Sequence, residues 1–187
     1  MKELDVASLA QRVDLTDGVL VLRNKAAEMF ELSKADAGLL THGDVLICNL
    51  AGITDCSSSF VDEFILGWQR RIRELENTMM ILKNLCEDVR YTIESTLSIS
   101  KDHLILIFWN VDHYEILGNK IERNVLDTFS LMTDGAKITV RTIADSLGIE
   151  LNSAGNRLKK LFDAHIAMRQ EQGPEMGGKF EYFLPKL

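Results

Sequence analysis

The stretch Asp44 to Leu75, DVLICNLAGITDCSSSFVDEFILGWQRRIREL, decides the fold. It opens on Val45 to Leu50, an apolar run of the length expected for a buried strand. It closes on a helical stripe in which Phe60, Phe64, Trp68, Ile72 and Leu75 recur every three or four residues, with Val61 and Ile65 beside them. Arg70, Arg71, Arg73 and Glu74 fall on the other faces. Between strand and helix lies a polar loop, Thr54 to Ser59, and the Ser59 to Asp62 spacing predicts a capping box. Ser57 and Ser58 then sit where backbone donors point outward and the helix dipole favours negative charge.

Working outward, Asp17-Gly18 is a turn signal after a weakly patterned lead-in, and Val19 to Leu22 is a short strand. Asn24 is placed to cap a helix running to about Leu40, and His42-Gly43 turns into the central strand. Met79 to Leu82 and Leu104 to Trp109 are further apolar strands, separated by a helix over Glu87 to Leu97. Alternating strands and helices, with nearly continuous apolar strands, predict an α/β layer. The pattern breaks at Asp112 to Glu115, which places a domain boundary near residue 112, giving domains 1–111 and 112–187.

The second part reads as three helices and a hairpin. The first helix is expected over about Asn119 to Met132. Thr139 caps a second, Gly148 stands at its C′ position, and a third begins at Asn152 or Ser153 with Leu158, Leu161 and Phe162 inward. Two short helices around a glycine turn are a helix-turn-helix pattern. Ile166 to Met168, a GPEMGG turn over Gly173 to Gly178, and Phe180 to Leu184 complete a hairpin. On the third helix Asn152, Ser153, Asn156, Arg157 and Lys160 can share an outward side, with Lys159 beside them and Lys179 on the hairpin. Asn and Arg read base edges and Lys holds phosphates, so these seven are candidate DNA-binding residues.

Composition bounds the rest. The chain has 187 residues, 46% hydrophobic and 26% charged, which suits one well-buried domain or two small ones. No apolar run has the length of a membrane span and the start lacks an apolar signal core, so a cytoplasmic location without membrane contact is expected. Cys48, Cys56 and Cys86 fit neither a disulfide framework nor a metal knuckle; Cys48 reads as strand core and Cys56, beside the serines, as packing, with a reactive thiol there the lesser alternative. Residues 1–111 carry 11 Lys+Arg against 17 Asp+Glu, and residues 112–187 carry 10 against 11. The acidic first part is a poor nucleic-acid surface, so such a role falls to the second. Asp55, Asp62 and Glu63 read as solvated cap and surface acids, and the four histidines are scattered. No catalytic constellation, metal spacing, phosphate loop or dinucleotide fingerprint is present, so neither an enzyme nor a cofactor is expected.

The segment Ser58-Ser59-Phe60-Val61-Asp62-Glu63, preceded by Asp55-Cys56-Ser57, resembles the STAS superfamily of anti-sigma-factor antagonists, specifically the STAS-like family marked by S-S-F-x-D-E after a strand. The likeness spans about residues 12–110. It implies a sheet with helices packed against it and a protein-docking role, with Ser57, two positions after Asp55, where antagonists are phosphorylated. The antagonist pattern continues with glycine and a small apolar residue, where this chain has Ser58-Ser59-Phe60. Residues 119–187 look like a winged helix-turn-helix domain of bacterial regulators. Ser153 to Arg169 is similar to its recognition helix and first wing strand, with His165 where many members have glycine. Together these resemblances imply a transcriptional regulator that docks a protein through its first domain, at Asp55, Ser57 and Ser58, and binds duplex DNA through its second, with a homodimer doubling the cations. The alternative is an adaptor for a histidine-kinase-like ATPase that touches no nucleic acid.

Overall fold

The structure is a computed structural model that describes residues 1–118, 121–172 and 179–187. The chain divides into two compact units, Met1–Asn119 and Lys120–Leu187. The first is an α/β layer with a mixed sheet. Its elements are β1 (Lys2–Asp5), α1 (Val6–Gln11), β2 (Val19–Leu20), α2 (Arg23–Ala37), β3 (Val45–Asn49) and β4 (Asp55–Cys56). The central helix follows as α3 (Ser58–Phe60), a π-helical turn (Val61–Ile65) and α4 (Leu66–Arg73). Then come β5 (Met79–Lys83), α5 (Glu87–Ile99), β6 (Leu106–Asn110) and β7 (His113–Leu117).

The five-stranded sheet has the order β1-β3-β5-β6-β7, parallel throughout except for β7, which runs antiparallel to β6. Because each parallel strand is added on the same side of the last, every crossover lands on the same face of the sheet. The core reflects this: Leu46 and Cys48, Met80 and Leu82, and Leu106 and Phe108 alternate along their strands and pack with Val6, Met29, Phe64, Trp68, Ile72 and Ile93 from the helices. Burying each of these large side chains is worth about 1.5–3 kcal/mol.

Three expectations change here. The lead-in is not irregular: Lys2–Asp5 is an edge strand in register with β3, and Asp5 caps α1 by accepting from the Ser8 N–H at 3.0 Å. Helix α2 starts at Arg23 after Leu22, without a side-chain cap, so Asn24 is not its cap. The boundary near residue 112 moves to Asn119, because the polar residues Asp112 to Glu115 form a tight turn and a fifth strand and not a linker.

The second unit holds α6 (Arg123–Phe129), β8 (Lys137–Thr139), α7 (Val140–Leu147), α8 (Leu151–Asp163), β9 (Met168–Glu171) and β10 (Phe180–Phe183). The first helix is thus shorter than expected. Thr139 caps α7 by accepting from the Thr142 N–H at 3.1 Å, and Gly148 turns the chain at φ 62°, ψ 40°, the left-handed conformation expected of it. Helix α8 starts at Leu151, slightly before Asn152, and buries Ala154, Leu158, Leu161 and Phe162. The strands form an antiparallel sheet ordered β8-β10-β9, of which β8 is additional to the expected hairpin. The GPEMGG turn lies outside the described residues. Among the described residues no helix is long and apolar enough to cross a membrane.

Candidate functional site

The serine corner is built where β2 and β4 pair, with Val19 beside Asp55 and Leu20 beside Cys56. The Gly18 carbonyl accepts from the Thr54 N–H at 2.8 Å, and the Leu20 carbonyl accepts from the Ser57 N–H at 2.9 Å. That pairing selects the cap. Ser57, and not Ser59, caps the central helix: its hydroxyl oxygen accepts from the Phe60 N–H at 3.3 Å and lies 3.2 Å from the Ser59 hydroxyl. Ser57 is half-buried, whereas Ser58 and Asp55 are exposed. All three candidate docking residues therefore share one surface corner, and Ser58 offers the freest approach.

The predicted capping box is absent because Asp62 is engaged elsewhere. Its carboxylate accepts from Arg70 Nη2 at 2.8 Å and Arg23 Nη2 at 3.2 Å, while Glu63 accepts from Arg23 Nη1 at 3.2 Å. Arg70 continues to Asp102 through Nε at 2.6 Å. The π-turn thus holds two acids between two arginines drawn from distant parts of the sequence, a tie no local pattern announces. The hydrogen bond from Arg70 holds the Asp62 carboxyl below the usual carboxylate range. A depressed folded-state value adds stability that is present above the unfolded value, about 4, and is lost as pH falls through the folded one. Replacing Asp62 by Asn should therefore lower the urea midpoint more at about pH 7 than at about pH 3, where part of that contribution is already lost. An equal deficit at both pH values would exclude this role.

Cys56 is placed as a packed core thiol. It is buried, and desolvation pushes its pKa up to about 12, as it does for Cys48. Among the described residues no group of three or more His, Cys, Asp or Glu is placed to hold a metal ion. Nor does the strand order reverse within the parallel strands, and a reversal is what opens the ligand crevice of doubly wound sheets.

In the second unit the candidate DNA-binding residues divide. Asn152 and Asn156 are exposed on α8, and Lys159, one turn on, is exposed and paired with Asp163. Ser153 is half-buried. Arg157 does not share the outward side: its Nη1 donates to the Asn124 carbonyl at 3.2 Å, turning it toward α6. Lys160 faces the same way, its ammonium 2.6 Å from Glu122. Lys179 is exposed, 5.0 Å from the Phe180 ring centroid. The Arg169 guanidinium lies between the Phe162 and Phe180 rings, 3.9 and 4.2 Å from their centroids, and so pins β9 and β10 to the end of α8. At the turn before α8, Arg141, Asp145, Glu150 and Ser153 line an open groove of about 640 Å³. Arg141 was not among the sequence candidates, because its place beside the start of α8 depends on how the two helices cross. No protein-family model and no curated protein matches the chain.

Proposed function

We propose that the chain is a transcriptional regulator in which a STAS-like docking domain controls a winged-helix domain that binds duplex DNA. The observation that carries the reading is the stripe Asn152, Asn156 and Lys159 on the outward side of α8, after a capped helix and a left-handed glycine. In this reading α8 enters the major groove, the asparagines meet base edges, and Lys159, Lys179 and Arg141 meet phosphates. His165 adds to the likeness, since it adopts φ 57° where many winged helices have glycine. With the boundary at Asn119, the second unit carries 10 Lys+Arg against 9 Asp+Glu and the first 11 against 19. A weakly charged reader should lose affinity with salt at a log–log slope of only about −3 per chain.

The test is selection of a duplex from a random library at about 50 mM salt, followed by anisotropy titration. Asn156→Ala should cost about 1–3 kcal/mol on the selected duplex, roughly 5- to 150-fold. Failure to recover any duplex at tens of micromolar protein would sink the reading.

The adaptor alternative is favoured by the pairing of Lys159 and Lys160 with Asp163 and Glu122, and by Asp145 and Glu150 beside the start of α8. Under either reading the serine corner is the regulated element. A phosphate on Ser57 or Ser58 adds about −1.5 to −2 charges at a helix start that tolerates them, and an acidic or apolar partner is expelled. Intact mass of protein from its native host should show a phosphorylated species. Its absence under all growth conditions would remove the switch.

A further inference from the structure

We propose that the groove between the end of α2 and α4, at Trp68 and Arg71, docks an acidic peptide segment through one large apolar side chain. The groove encloses about 310 Å³ and is lined by Lys34, Ala35, Gly38, Leu39, Leu40, Trp68 and Arg71. Apolar side chains back it from beneath, with little surface of their own left open. Trp68 is 1% exposed, and its one polar atom is already used, the indole N–H donating to Ser33 Oγ at 2.9 Å. The Phe30 ring backs it edge-on at 5.3 Å. Leu40 is 7% exposed, whereas its neighbour Leu39, just after the turn at Gly38 (φ +63°), stands 78% exposed at the rim. Space for one bulky side chain thus lies beside an uncovered leucine.

The charge of the rim selects the occupant. Among the described residues, the charged side chains lining the groove are Lys34 and Arg71, both cations, in a unit whose acids outnumber its bases by 19 to 11. Their present partners are weak. Lys34 meets Glu31 and Arg71 meets Glu74, each one turn away on its own helix and each at least half exposed. Such pairs contribute little and exchange readily for a carboxylate brought by a partner. A long polyanion would meet the surrounding acids, whereas a short acidic segment spans only the two cations. The central helix runs from Ser58 to Arg73, roughly 24 Å at 1.5 Å per residue, so this groove and the serine corner mark its opposite ends. The assignment rests on neither the DNA reading nor the phosphate reading.

The experiment is fluorescence polarisation of three labelled peptides on the full chain: GEDELFDEG, a version with Lys at each acid, and a version with Ser at Leu and Phe. The first should bind saturably, with Kd on the order of 10–100 µM, and the other two at least about tenfold more weakly. Leu39→Asp and Arg71→Glu change exposed side chains, so both should keep the wild-type melting temperature while weakening the first peptide about tenfold. No saturable binding, equal binding of the lysine version, or unchanged affinity in both variants would overturn the proposal. So would competition by duplex DNA, or a concentration-dependent dimer abolished by Leu39→Asp, which would assign the face to a second copy of the chain.

Discussion

Replacing Trp68 by alanine is expected to cost about 3–5 kcal/mol of unfolding free energy, read as a shifted urea midpoint at unchanged slope. The indole is among the largest fully buried side chains of the first unit, closed in by Phe30 and the strands beneath α4. Its removal leaves a void that close-packed neighbours fill only in part, and that void is the reason the loss exceeds simple transfer. Ser33 is not stranded by the change, because its hydroxyl also donates to the Phe30 carbonyl at 2.8 Å. The reverse substitution differs in kind. Ser33→Ala leaves the buried indole N–H without its acceptor and should cost about 1–3 kcal/mol, with near-native packing. A loss below about 1 kcal/mol for Trp68→Ala would mean that the central helix is not the element on which the first unit is built. Because Trp68 also floors the peptide groove, its truncation confounds stability with docking, which is why the docking test uses Leu39 and Arg71.

How much of this was legible in the sequence depended on whether the controlling interaction was local. The strands β3, β5 and β6 are continuous apolar runs, and a run of that kind needs no partner to be recognised. Thr139 and Gly148 were legible because a cap and a left-handed terminus are matters of one helix and its next residue. The short strand β1 has too few residues to show a period and becomes a strand through its pairing with β3. The turn into β7 hid itself differently. Val111 takes φ 58°, a conformation that β-branched residues avoid, so the one position that asks for Gly or Asn carries neither, although Asn110 and Asp112 flank it. At the corner three consecutive serines were equally good caps, and only the pairing of Leu20 with Cys56 selects Ser57. Arg157 and Lys160 lay on the expected outward side by helical spacing. Asn124 and Glu122, more than thirty residues away, draw them toward α6.

The corner itself is most exposed to a change at Gly18, where Gly18→Ala is expected to cost about 3 kcal/mol. Gly18 adopts φ +72°, and a Cβ placed there falls inside contact distance of the Gly52 carbonyl oxygen. Both sides of that contact are backbone, so no flexible side chain can swing clear. The two segments must part, which breaks the Thr54 N–H to Gly18 carbonyl bond and the register of β2 on β4. The Ser57 N–H then loses the Leu20 carbonyl, and the cap that presents Ser58 loses its anchor. Gly38 provides the comparison. It has a similar φ of +63°, at ψ −165°, a region open essentially only to glycine, but a Cβ there meets nothing within 4 Å, so Gly38→Ala should cost the backbone penalty alone, about 1–3 kcal/mol, with no segments forced apart. Hydrogen exchange should show faster protection loss at Thr54, Ser57 and Phe60 in the Gly18 variant alone. If the two variants melt together and exchange alike, the close approach of Gly18 to Gly52 does not hold the corner, and the serines are presented by the helix cap without it.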